Sequence, residues 1–152
     1  MPHSLTHLLI HCVYHKGRYA PIIREEDQYR LNGFIIEQSK HLKSHCLIAN
    51  GPGDHIHLLV ALSANIALSQ FIKEIKRTST GFLKECQPGY YHSFHWQEGY
   101  AAFSVSYRLK DHVYAYILKQ KEHHQKHPMR EELELLLRNA HITSNSEKYY
   151  WK

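Results

Sequence analysis

Apolar positions along this chain follow two spacings, and the switch between them marks out its elements. Leu8-Leu9-Ile10-His11-Cys12-Val13-Tyr14 is a β-rich run, ended by Lys16-Gly17-Arg18. From Arg24 to Leu42 the period becomes helical, with Leu31, Phe34, Ile35, Gln38 and Leu42 near one face. Glu25, Glu26 and Asp27 suit the first turn of that helix electrostatically. Ser44 to Ala49 reads as a second strand, Asn50-Gly51-Pro52-Gly53 as a turn, and Asp54 to Leu62 as a third strand. The two runs predict an antiparallel hairpin. Ala67 to Glu85 is the clearest helix, with Leu68, Phe71, Ile72, Ile75, Ser79 and Phe82 in one stripe. Gln87 to Ser93 reads as a loop, and Phe94 to Ser106 contains a strand best seen at Ala101-Phe103-Val105. Arg108 to His124 predicts a third long helix, and Met129 to Asn139 a short leucine-rich one. The segment from Thr143 to Lys152 is polar and aromatic, without periodicity.

The predicted order is β-α-β-β-α-β-α-α. Its first six elements match the split βαβ, ferredoxin-like unit, an α+β fold shared with RNA-recognition domains. The antiparallel sheet would carry the two early helices on one face, with an additional C-terminal helix. The 152 residues suit one domain, with a core over about residues 5–141 and a polar tail over 142–152.

Composition adds little to this picture. Hydrophobic residues make up 43% and charged residues 22%, as in ordinary globular chains. No apolar run reaches the roughly 18 residues of a membrane span. The start, Met1-Pro2-His3-Ser4-Leu5-Thr6, lacks a signal-peptide pattern, so the cytoplasm is the expected compartment. Lys+Arg exceed Asp+Glu by 19 to 14, a net charge of +5 compatible with a polyanionic partner. Cys12, Cys46 and Cys86 lack Cys-x-x-Cys spacing, which argues against a zinc ribbon and for small, reduced residues.

The third predicted strand carries the candidate chemistry. In Gly53-Asp54-His55-Ile56-His57-Leu58-Leu59-Val60, alternate side chains share a face. His55 and His57 therefore point one way, and Ile56, Leu58 and Val60 point toward the packed helices. The two imidazoles would emerge on the opposite, more open face, where they can hold a metal ion. Asp54 alternates to the other face and is not counted as a ligand. On the third predicted helix, His112, Tyr116, Gln120 and His123 or His124 form a polar stripe, with Val113, Ile117 and Leu118 on the packing side. Tyr114 faces away from Tyr116.

Taken together, His55-Ile56-His57 and Tyr116-Ile117-Leu118-Lys119-Gln120 resemble the single-tyrosine HUH transposases of small bacterial insertion sequences and their REP-associated relatives. HUH denotes histidine-hydrophobic-histidine. The flanking text, Trp96-Gln97-Glu98-Gly99-Tyr100-Ala101-Ala102-Phe103-Ser104-Val105-Ser106 and Gln120-Lys121-Glu122-His123-His124, is similar to that family as well. The resemblance runs from about Leu5 to His141. It implies that Tyr116 attacks a DNA phosphate, forming a covalent 5′-phosphotyrosine and freeing a 3′-hydroxyl. It implies three protein ligands, His55, His57 and Gln120, for a divalent cation. That mixed nitrogen–oxygen set suits Mg²⁺ or Mn²⁺, and ligand type alone leaves zinc open. It also implies a homodimer, with Tyr116 acting in cis or in trans, and a substrate of single-stranded DNA bearing a hairpin.

Candidate phosphate contacts are Lys73, Lys76, Arg77 and Lys84 on the second predicted helix, and Lys119 and Lys121 beside Tyr116. Tyr90, Tyr91, Phe94 and Trp96 are candidates for stacking on bases. The alternatives are a non-catalytic nucleic-acid-binding module of RNA-recognition type, a metal-dependent hydrolase using water, and a host-adopted relative that processes chromosomal repeats.

Overall fold

The computed structural model describes residues 4–120 and 129–140. The elements run β1 (Leu9–His15), α1 (Glu25–His41), β2 (His45–Asn50), β3 (His55–Ala61), α2 (Leu68–Cys86), α3 (Pro88–Tyr91), β4 (Ala101–Ser104), α4 (Lys110–Leu118) and α5 (Met129–Asn139). A 3₁₀ turn over Tyr107–Leu109 leads into α4. The strands form one antiparallel sheet in the order β2-β3-β1-β4, as the ferredoxin-like reading predicts. His123, His124, Lys121 and the segment 142–152 lie outside the described residues.

Alternation sorts the sheet into two faces. On one face Cys12 and Tyr14 of β1 join Ile56, Leu58 and Val60 of β3 in the main core. Phe71, Ile72, Ile75 and Leu83 of α2 and Leu31 and Ile35 of α1 cover them. Burying each such side chain is worth about 1.5–3 kcal/mol, so this face drives folding. Two helical serines enter the same core without leaving a hydroxyl unsatisfied. Ser39 Oγ donates to the Ile35 carbonyl at 2.9 Å, and Ser79 Oγ to that of Ile75 at 2.6 Å. Trp96 Nε1 in turn donates to Ser79 Oγ at 3.0 Å.

The opposite face is not open. Leu9, Ile48 and Leu59 pack against Ile117 of α4. Val13 packs against Leu133 of α5, with Ala101, Phe103, Leu136 and Leu137 around them. Two C-terminal helices thus cover the side on which the histidines were expected to be accessible. A bulge in β2 between Cys46 and Ile48 lets Cys46 and Ala49 face the main core while Ile48 faces α4.

Three local readings change. The segment after α2 is not all loop, because Pro88 begins a short helix and brings Tyr91 into the core. The helix expected over 108–124 ends at Leu118, where Asn50 Nδ2 donates to the carbonyls of Ile117 (3.0 Å) and Leu118 (3.1 Å). Leu118 does not pack; it is 58% exposed, and Ile117 alone is buried.

The turn before β3 tolerates no extra atom at Gly51, where an added Cβ would fall 2.1 Å from the His55 carbonyl oxygen. Gly33 in α1 has nothing within 4 Å of such a carbon. Gly51→Ala should therefore destabilise the protein by about 2 kcal/mol or more in urea denaturation. Gly33→Ala should stabilise it by roughly 0.5–1 kcal/mol. Equal effects of the two would contradict this turn geometry.

Candidate active site

Strand β3 delivers both imidazoles to the α4/α5 side of the sheet, and both are buried, at 1% (His55) and 0% (His57) exposure. Each has its Nδ1 atom occupied. Asp54 Oδ1 lies 2.7 Å from His55 Nδ1. His11 Nε2 lies 2.8 Å from His57 Nδ1, with the two rings stacked at 5.0 Å. The β1–β3 register explains the second contact. His11 pairs with Leu59 and Val13 with His57, so His11 and His57 are diagonal neighbours on one face.

The Nε2 atoms meet side chains from the C-terminal helices. Gln120 Oε1 is 3.4 Å from His55 Nε2, and the Gln120 side chain is fully buried. Glu132, from the first turn of α5, places Oε1 3.0 Å from His57 Nε2 and Oε2 3.5 Å from His55 Nε2. The Tyr116 hydroxyl donates a hydrogen bond to Glu132 Oε1. The Tyr116 ring stands edge-on to those of His57 (5.8 Å) and His11 (6.1 Å). A cavity of about 500 Å³ opens beside this cluster, lined in part by Tyr116, His11, His112 and Phe103.

The structure thus brings His55, His57, Tyr116 and Gln120 together from strand and helix segments far apart in sequence. Asp54 also belongs to the cluster. It was expected on the other face, but it precedes the strand proper, and its carboxylate turns back onto His55. His11 and Glu132 had not been singled out. An antiparallel β1–β3 pairing would have exposed His11, since alternation alone puts it on the histidine face. Nothing in the local text marks Glu132, which reads as an acidic residue favoured in a helix's first turn.

The charges in this cluster are strongly coupled. Burial opposes a charged His55, but hydrogen bonds and charge from Asp54 and Glu132 outweigh it and raise the imidazole to about 9. Burial, reinforced by His57, lowers His11 to about 3 despite Glu132. Burial would raise Glu132, yet the His55 and His57 imidazoles and the Tyr116 hydroxyl against its oxygens hold it well below the usual carboxylate range. Burial, then Glu132, push the Tyr116 phenol well above its ordinary value.

The donor atoms of His55, His57 and Glu132 all lie within 4.8 Å of one another, a buried group that could hold a metal. The donor set fits one. Asp54 and His11 occupy the Nδ1 atoms, the outer-shell arrangement that turns Nε2 toward an ion. Nitrogen, carboxylate and amide oxygen are the donors available.

The basic residues are more dispersed. Lys73, Arg77 and Lys84 are exposed on α2, across the sheet from the histidines. Arg77 pairs with Glu74 at 2.7 Å. Lys76 Nζ donates to the carbonyls of Gln97 (2.8 Å), Glu98 (3.3 Å) and Gly99 (2.7 Å), stapling that loop to α2. Burial lowers its ammonium to about 8. Lys119 is exposed at the end of α4, beside the cluster. Tyr91, Phe94 and Trp96 are core residues in edge-to-face contact and have no face free for a base. Tyr90 is partly exposed, and its hydroxyl donates to the Ile22 carbonyl at 2.6 Å.

Comparison with known proteins gives the family of the chain and its fold. Residues 4–120 match the family model described as "Transposase IS200 like". The chain belongs to this family. Its fold is similar to that of a protein from Deinococcus radiodurans R1, assigned as a transposase and solved by crystallography at 1.90 Å. The match has a TM-score of 0.62 at 16% identity, covering 79% of this chain and 95% of the other. No curated relative matches the chain. Membership supports a transposase role and a DNA partner for this IS200-like transposase. Among the described residues, no helix is long and apolar enough to cross a membrane.

The coupled imidazoles dictate how stability varies with pH in the chelator-treated transposase. His55, raised to about 9, contributes stability that is full below its unfolded value of 6.5 and lost as pH rises toward 9. His11, lowered to about 3, acts oppositely, and the folded state loses stability as pH falls below 6.5. Urea denaturation should therefore give a maximum near pH 6.5, with stability falling on both sides of it. A flat profile would contradict the assigned contacts.

Proposed function

We propose that this IS200-like transposase nicks and rejoins single-stranded DNA through a covalent intermediate on Tyr116. The observation that carries this reading is the placement of the Tyr116 hydroxyl within the buried His55–His57 cluster of the same chain. An ordinary surface tyrosine has no reason to be there. Tyr116 Oη forms the new bond to phosphorus while the bond from phosphorus to the 3′-oxygen breaks. The phenol loses its proton, and the leaving 3′-oxygen gains one, giving a 5′-phosphotyrosine and a free 3′-hydroxyl. The reaction is a transesterification, so bond energy is kept and the strand can be rejoined without ATP.

His55 and His57, with Gln120 as a third ligand, hold a divalent cation, Mg²⁺ or Mn²⁺. When bound, such an ion withdraws charge from the phosphate and stabilises the transition state. Asp54 and His11 keep the imidazoles turned inward. The substrate is single-stranded DNA with a hairpin at an element end, and the enzyme works as a homodimer. Lys119 is the basic residue best placed to meet phosphates near the nucleophile. Lys73, Arg77 and Lys84 would reach DNA only if the strand wraps to the far side of the sheet. A simple binding module of RNA-recognition type is less well supported, because its base-stacking face would be the one that α4 and α5 cover here.

Incubation with end-labelled single-stranded DNA from the flanks of the gene, in Mg²⁺ or Mn²⁺, should give a shifted band on a denaturing gel. Tyr116→Phe should reduce that adduct to below about one-thousandth of wild type, and Tyr114→Phe should leave it. Cleavage without any adduct would instead make water the nucleophile.

A further inference from the structure

We propose that Glu132 is itself a ligand of the metal held by His55 and His57, and that the same carboxylate tethers the Tyr116 hydroxyl beside it. This inference rests on the reading of the histidine pair as a metal site. Both carboxylate oxygens of Glu132 lie against the inward-facing imidazole nitrogens, at 3.0 Å from His57 Nε2 and 3.5 Å from His55 Nε2. The longer approach is too long for a good hydrogen bond, and Oε2 has no other partner within the described residues. The side chain is 5% exposed, so solvent does not satisfy it.

Charge balance points the same way. Among the described residues, no lysine or arginine is paired with Glu132, and the imidazoles of His55 and His57 are the groups that face its oxygens. A buried carboxylate facing neutral donors is costly without a counter-charge. A divalent cation among the three side chains supplies that charge. The carboxylate also brings a hard, anionic oxygen to a set otherwise made of neutral donors, which favours Mg²⁺ or Mn²⁺.

Two consequences follow from where Glu132 sits. Ligating carboxylates are characteristically hydrogen-bonded from outside, and here the outside donor is the Tyr116 hydroxyl. Glu132 is thus a positioning residue for the nucleophile as well as a ligand. Its helix, α5, rests on the sheet through Leu133, Leu136 and Leu137, a small apolar contact. Metal ligation through Glu132 would clamp that helix over the site.

The test uses the full-length protein, treated with chelator and titrated with Mn²⁺ in the absence of DNA. Bound ion is followed by electron paramagnetic resonance, and residues 129–139 by amide hydrogen exchange. Wild type should bind Mn²⁺ and gain exchange protection over 129–139. Glu132→Gln, nearly isosteric, should lower Mn²⁺ affinity at least about tenfold and abolish the metal-dependent protection. Glu132→Asp, which keeps the carboxylate, should bind more tightly than Glu132→Gln. Tyr116→Phe, which removes only the outer hydrogen bond to that carboxylate, should weaken Mn²⁺ binding less than Glu132→Gln does. Unchanged or tighter binding by Glu132→Gln would overturn the proposal, because the carboxylate would then merely occupy the site until an ion displaces it. Failure of wild type to bind Mn²⁺, or His57→Ala binding as well as wild type, would instead overturn the metal-site reading beneath it.

Discussion

The antiparallel pairing of β1 with β3, with Val13 opposite His57, is the constraint on which the rest of the structure depends. Side chains in a strand alternate with a period of two, so a slip of one residue would exchange the faces. His55 and His57 would then turn into the core beneath α1 and α2, and Ile56, Leu58 and Val60 would turn out. The register is held by that core, because Cys12 and Tyr14 fill it from β1 just as the β3 residues do. The hydrophobic effect on one face thereby fixes the chemistry on the other. The same register supplies His11 as the diagonal neighbour of His57.

The chemical face then needs covering, and α4 and α5 provide it with single well-buried anchors, Ile117 and Leu133. Covering it lowers the local dielectric and strengthens every charge–charge contact inside. An unpartnered polar atom would be costly there. Each imidazole has an outer partner, Asp54 or His11, and Gln120, Glu132 and the Tyr116 hydroxyl reach the inner side, where Glu132 Oε2 is left without a good hydrogen bond. Asn50 joins the two halves: it closes the end of α4 from β2, one strand away from the histidines.

Much of this was legible in the text, and the misreadings share a cause. Helical and strand periods located the strands of the sheet and predicted α5 as Met129–Asn139, the span the structure shows. The same periods cannot say what a polar or aromatic side chain meets. Lys76 looks like a free cation on a solvent-facing helix position, yet three carbonyls from the 97–99 loop capture it. Tyr91, Phe94 and Trp96 look like a stacking platform and are instead core, because α3 and the segment that follows it pack them into the main cluster. Leu118 looks apolar and packed, but the helix ends there and only Ile117 reaches the sheet.

The sequence by itself determined the ferredoxin-like order of elements, the shared face of His55 and His57, and the four-residue spacing of Tyr116 and Gln120. These are local properties, set by backbone periods and readable over a few residues. Only the tertiary structure decided that the histidine face is buried, that His11 stacks on His57, and that Glu132 reaches both imidazoles and Tyr116. Those contacts join residues separated by long stretches of chain. They depend on strand register and on how two helices dock, which local sequence does not encode.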